Sequence, residues 1–527
     1  MILLAAALGL CVVAVEAAPP ERPRATVDTS DVRSIGRTIA VLAGGNVQAA
    51  LNAAQPGDVI TLEAGATFRG PFTLPKKNGT GWIIVRTSAP DSRLPPSGTR
   101  VTPAHATVMP KLEARGGAGA VIHSAPGAHH FRFIGVEVRP EAGAFVYSLV
   151  ELGSGDATSE DMLPHDIIVD RCYLHGDPAR GGRRGIALNG TSLAVVDSYL
   201  ADFKEVGADS QAIMGWNGPG PYKIVNNHLE GAGENVMFGG ADPAIRGLVP
   251  ADIEIRQNYF FKPLSWREGD PSYAGTPWTI KNLFELKNAR RVLVEGNVFE
   301  NIWRAAQDGF ALQLTVRNQY GGAPWSTIED VTFSRNIVRH AGSGINILGT
   351  DDPKPSQTMK RVLIQDNVFD DVSGARWGGH GHLVQILDYR VGTTDVVIDH
   401  NTAFQDGSPI YASGKPHAGF VYRNNLTRKG AYGVLGDGAS EGLGTLGTYF
   451  PGAVFVKNVV IGATPSLYPA NNFFPGSLDK VGFVNLADGN YRLAASSSYK
   501  NAGTDGRDIG ADIAAFPLPT AVISGHH

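Results

Sequence analysis

The chain has 527 residues, of which 43% are hydrophobic and only 18% charged, with 65 glycines. A formal net charge of −4 gives no electrostatic basis for a nucleic-acid or anionic-membrane partner. The glycine-rich, charge-poor balance suits strands and turns rather than a helical bundle.

From the N-terminus, an apolar run from Ile2 to Val15 leads into Val15-Glu16-Ala17, which fits a small-residue cleavage site. Residues 1–17 therefore predict a signal peptide and a secreted protein. The run is shorter than the roughly 20 residues that cross a bilayer, so no membrane insertion is expected. Without the leader Cys172 is the only cysteine, which excludes an intrachain disulfide. Residues 18–38 lack periodicity and predict a flexible lead-in. Asn46 is placed to N-cap a short helix carrying Val47, Ala50, Leu51 and Ala54 on one stripe, and this helix is expected to cap the exposed end of a strand array.

That array is a repeat. Apolar residues stand five and three positions before a polar pivot, usually Asn, and often another stands two after it. Examples are Tyr222-x-Ile224-x-x-Asn227-x-Leu229, Val292-x-Val294-x-x-Asn297-x-Phe299 and Val362-x-Ile364-x-x-Asn367-x-Phe369. Pivots at 171, 198, 227, 258, 297, 336, 367, 401, 425 and 458 lie 24 to 39 residues apart. Period-two spacing means strand, and the Asn marks a bend, where it tolerates a left-handed backbone and bonds to the equivalent Asn one coil away. A leucine-rich repeat would need a Leu-x-x-Leu-x-Leu frame, which is absent. The prediction is an all-β, single right-handed parallel β-helix of three-strand coils over residues 39–515, with a C-terminal tail at 516–527.

In such a solenoid the inward side chains are committed to packing, so chemistry belongs to outward positions and inserted loops. The strand Phe284-Glu285-Leu286-Lys287 turns Glu285 and Lys287 outward. One coil on, Gln313, Thr315 and Arg317 face the same way, so Lys287 and Arg317 fall on neighbouring rungs. A lysine beside an arginine suits β-elimination on a uronic acid polymer: one cation neutralises the carboxylate and acidifies the C5 proton, which the lysine removes. Gln211, Glu234, Asn235, Gln313 and Asn346 supply the amides and acids that sugar hydroxyls require. Trp266, Trp278 and Trp303, in or near the polar insertion Pro263–Thr276, offer flat apolar rings for sugar faces, or else fold back over the solenoid.

The chain resembles the pectate-lyase-like superfamily over nearly the whole mature sequence. Glu234–Pro243 and Asn282–Arg291 resemble stretches of a group of secreted bacterial β-helix proteins without an assigned activity. Within the superfamily, the chondroitinase B and alginate lyase group has a catalytic Lys near the end of an outer strand and a catalytic Arg one coil later, in a Leu-Thr-x-Arg context. Lys287 and Leu314-Thr315-Val316-Arg317 match those positions. The resemblance also implies paired acidic Ca²⁺ ligands just before the Lys. Asn282 stands where an acid would be, leaving Glu234, Asn235 and Glu285 as the oxygen donors.

The expectation is thus a monomeric lyase acting on an acidic polysaccharide, with Lys287, Arg317 and Glu285 as its catalytic set. Two alternatives use the same fold. Asp351-Asp352 and Gly379-His380-Gly381 echo an inverting hydrolase of the polygalacturonase kind, whose Asn-Thr-Asp and Arg-Ile-Lys motifs are missing. A non-catalytic glycan-binding or adhesion β-helix needs no catalytic set at all.

Overall fold

The computed structural model describes residues 17–516, except 33 and 118. Apart from Ala17 and Phe516, the predicted leader and tail lie outside the described residues. No helix among these residues is long and apolar enough to cross a membrane.

Three parallel sheets of 14, 13 and 12 strands run the length of the molecule, and each coil contributes one strand to each in turn. One coil comprises Ala251–Arg256, Tyr259–Phe261 and Phe284–Leu286, and the next Ala289–Glu295, Val298–Ile302 and Phe310–Thr315. The chain is a right-handed parallel β-helix, as the repeat predicted. Val292, Val331, Val362 and Val396 stack in register, as do Val294, Phe333, Ile364 and Ile398. All are buried in one continuous core.

The pivots form a ladder at the bend between the first and second sheets. The backbone N–H of Asn227 donates to Asn258 Oδ1 at 2.9 Å, and the bond repeats through Asn297, Asn336, Asn367, Asn401, Asn425 and Asn458 to Asn472. The left-handed residue is not the pivot but the one before it: Asn226, Gln257, Arg335, Asp366, His400, Asn424 and Lys457 all have positive φ. That preceding residue makes the bend, which frees each Asn amide to bridge coils. At the N-terminal end the ladder passes through Ser198 to Cys172, not Arg171.

The helix forms at Val47–Ala53 with Asn46 Oδ1 accepting from Ala49 N–H at 2.9 Å, and Val47, Ala50, Leu51 and Ala54 are buried. Two segments differ from expectation. The lead-in is pinned rather than free of contacts: it crosses the outer face of the first sheet and buries Val27 against Ile168, Ala194 and Val196. Its backbone amides at Glu21 and Arg24 donate to Asp330 and Asp252, and its carbonyls at Thr29 and Ser30 accept from the buried Arg132. The cause is a column of charged side chains on that face, which needs hydrogen-bond partners. The coil strands also stop earlier than 515, at Val459–Ile461. Beyond them the chain turns back, and Val481, Leu493, Tyr499 and Ile509 cover Leu426, Val459 and Ile461.

Candidate functional site

The outer face of the third sheet carries a polar row. Register aligns Met214, Met237, Glu285, Gln313, Asn346, Gln385 and Tyr411 along the helix axis. A second row aligns Arg184, Gln211 and Glu234. Between the rows each strand turns two successive residues inward, as in Ala212-Ile213, Leu283-Phe284 and Ala311-Leu312, all buried in the core. Asn235 occupies one of these inward positions. Its Oδ1 accepts from the buried Lys262 ammonium at 3.1 Å and its amide donates to the Leu229 and Phe261 carbonyls. Asn235 is therefore an interior brace, unavailable to a sugar or a cation in the groove.

Amide-to-amide bonds knit the row together. Gln385 donates to Asn346 at 3.0 Å, Asn346 to Gln313 at 2.7 Å, and Asn282 to Glu285 at 3.0 Å. Oδ1 of Asn282 has no protein hydrogen-bond partner among the described residues. The loops entering the third sheet, including 262–283 and 373–383, stand on one side of the row. Those leaving it, including 239–250, 316–327 and 349–359, stand on the other.

Glu234 is sealed at the closed end. Gln211 donates to it at 2.8 Å, and the Lys281 ammonium lies 2.8 Å from Glu234 and 2.7 Å from Asp209. Burial works against the charge on Lys281, but the carboxylates of Glu234, Glu285 and Asp209 hold it well above the ordinary lysine range. Lys281 carries no repeat signature, since it sits in the loop before its strand. Its position decides the metal question. Glu234 and Glu285 are the acids on which a Ca²⁺ site would rest, and each already has an ammonium beside it, Lys281 at Glu234 and Lys287 at Glu285, while Asn235 faces the interior. The residues present do not fit a calcium ion.

Lys287 and Arg317 follow directly on the ends of the strands Phe284–Leu286 and Phe310–Thr315. The backbone N–H of Arg317 donates to the Lys287 carbonyl at 3.0 Å, so the two are neighbours on consecutive coils. Their side chains have separate acidic partners: Lys287 Nζ is 3.5 Å from Glu285, and Arg317 donates to Asp351 Oδ1 at 3.1 Å. The other oxygen of Asp351 accepts from Asn318 N–H at 2.8 Å. The aspartate read in the sequence as half of a hydrolase motif is a clamp for Arg317.

Trp266 and Trp303 are buried at 4% and 5% exposure within the main core, and Trp278 packs half-buried against it, with Lys204 over the Trp266 and Trp278 rings. The insertion folds back on the solenoid, and Trp266, Trp278 and Trp303, with Trp377, line one pocket there.

No protein-family model matches the sequence, and no curated protein does. Similar solved structures include a PL6-family alginate lyase, AlyGC, at TM-score 0.53 and 12% identity, covering 92% of this chain and 58% of that one. The chain thus spans little more than half the length of that enzyme. An alginate lyase from Paenibacillus sp. str. FPU-7 (TM-score 0.30, 13% identity, 77% of this chain and 97% of that one) and the pectate lyase Pel9A (TM-score 0.35, 15% identity, 90% and 96%) superpose more loosely. By fold, the chain is a right-handed parallel β-helix, an architecture it shares with a PL6-family alginate lyase.

Proposed function

We propose that the row on the third sheet is the floor of a polysaccharide-lyase groove and that the protein, secreted and monomeric, cleaves a uronic-acid-containing polymer by β-elimination. The observation that carries this reading is the pairing of Lys287 and Arg317 on consecutive coils beside the polar row of Glu285, Gln313, Asn346 and Gln385. Lys287 removes the C5 proton of a uronate, the electron pair forms the C4–C5 double bond, the C4–O bond breaks, and the glycosidic oxygen leaves with a proton returned by the Lys287 ammonium or by water. Arg317 holds the substrate carboxylate, which stabilises the carbanion-like charge as it develops. Gln313, Asn346 and Gln385 meet sugar hydroxyls, while Glu234 and Gln211 brace the floor from beneath. The partly open setting of both cations supports these roles: side-chain exposure is 14% at Lys287 and 32% at Arg317. Of the acid pair a hydrolase would use, Asp351 is engaged through both oxygens by Arg317 and Asn318, which leaves Asp352 alone to serve such a reaction.

The test is a panel of uronic acid polymers incubated with purified protein and followed by the ultraviolet absorbance of the unsaturated product. Absorbance that appears with wild type and not with Lys287→Ala supports the reading. Saturated reducing ends would favour the hydrolase, and binding without cleavage would favour an adhesion role.

A further inference from the structure

Away from the groove, on the first sheet, four side chains meet at the start of two stacked strands. His129 and His130 open His129–Ile134, and His165 and Asp166 open His165–Asp170 in the next coil, with His129 and His165 in register. His130 and Asp166 both adopt the left-handed backbone, with φ of 58° and 52°. The position recurs down the sheet, and in later coils it holds the pairs Asp252–Arg291 and Asp330–Arg361, tied by bidentate hydrogen bonds. Here His130 is paired with Asp166 where arginine is paired with aspartate further along.

We propose that His130, His165 and Asp166 form a binding site for a borderline divalent transition-metal ion, Zn²⁺ in class, which staples two consecutive coils. One ligand atom from each of the three lies within 4.8 Å of the other two. His165 Nδ1 is 2.7 Å from Asp166 Oδ2, and His130 Nδ1 is 4.0 Å from the same oxygen. With metal–ligand bonds of about 2.0–2.1 Å, two ligands on one ion are separated by about 2.9 Å at a right angle and about 4.1 Å when opposite. The spacings found need only small side-chain adjustments to meet that range.

Without a metal these nitrogens are hydrogen-bonded, His165 Nδ1 donating to the Asp166 carboxylate, so metal binding releases a proton there. The Lys77 carbonyl, 2.9 Å from His129 Nε2, accepts only, so that nitrogen carries the hydrogen and His129 Nδ1 is left as an acceptor. This Nδ1 lies 2.9 Å from His130 Nδ1, and the His129 ring stacks on His165 with centroids 4.7 Å apart. Neutral imidazole is the ligand form. Two imidazoles and one carboxylate select zinc, cobalt or nickel over calcium or magnesium.

Untagged full-length protein, titrated with Co²⁺, tests the site. The expected result is one equivalent bound with visible d–d absorption, quenching of Trp82, whose ring lies 5.3 Å from His130, and a thermal midpoint raised by several degrees in Zn²⁺ but not in Ca²⁺. The double variant His130→Asn/Asp166→Asn should lose all three responses, since Asn tolerates both left-handed positions and spares the backbone. His165→Gln, at an ordinary backbone position, gives a second reading. Equal Co²⁺ binding by wild type and variants, or no binding by wild type, overturns the proposal. Uronate cleavage is a separate readout and should survive the double variant.

Discussion

Arg317 is held from behind by Asp351, which in turn is fixed by the Asn318 amide, so the guanidinium is set before any substrate arrives. Lysine at this position would supply charge without the planar fork that grips a carboxylate, and Arg317→Lys should reduce kcat/KM roughly 10²-fold. Asp351→Asn should act in the same direction more weakly, by about tenfold, because it loosens Arg317 without removing it. Initial rates by absorbance check both; an Asp351→Asn enzyme with wild-type rates would show that the clamp is idle. Lys281 gives a second residue-scale expectation. Chelation should leave cleavage unchanged, because Glu234 and Glu285 each already face an ammonium, of Lys281 and Lys287. Lys281→Met should destabilise the fold by about 3–5 kcal/mol, since it leaves Glu234 buried without its counter-charge. Activity lost to chelator and restored by calcium would contradict this account of the acids.

At the scale of the element, the asparagine ladder is what each coil adds beyond apolar stacking. Asn336 accepts from the backbone and side-chain amides of Asn297 and donates to Val294 and Asn367. Asn336→Leu would strand the Asn297 N–H in the core, at a cost of about 1–3 kcal/mol. The same change at Asn472, where the ladder meets solvent, should cost less. Thermal melts of the two variants check the order, and equal losses would mean that the ladder is not cooperative with the core. Ile364→Asp is the harsher test, placing an unpaired charge among Phe333, Ile398 and their neighbours at a cost of several kcal/mol, and it should prevent folding.

For the whole molecule, two buried histidines tie stability to pH. Ser408 N–H donates to His382 Nδ1 and Thr393 N–H to His417 Nδ1, each at 3.1 Å, which requires both rings neutral. Burial pushes each down to about 4. In the unfolded chain both titrate near 6.5, so their contribution is complete above about pH 6.5 and is lost as the pH falls toward 4, where the unfolded chain takes up protons the folded one refuses. The full difference is about 3 kcal/mol for each ring at most. Urea unfolding at several pH values should show this loss, and His417→Asn should flatten the curve. A stability that rises between pH 6.5 and 4 would contradict it.

The parallel β-helix was legible in the sequence because a stacked coil must repeat its apolar pair and its bend at a fixed offset, as Val292-x-Val294-x-x-Asn297 and its copies do. Lys287 and Arg317 were legible for the same reason: a period-two strand places them outward, and the repeat sets them one coil apart. Which of two successive residues turns inward was not, since Glu234 and Asn235 are equally polar and only the paired inward step of the third-sheet strands separates floor from interior. Nor did local pattern reveal Lys281 as the partner of Glu234, or Asp351 as the partner of Arg317, because each contact spans a coil and is made through a loop outside the repeat. The tryptophans of the insertion were ambiguous for a similar reason. Their rings suit a sugar or a core equally well, and only the path of the loop back onto the solenoid brings Trp266 and Trp278 against Trp303 at one pocket.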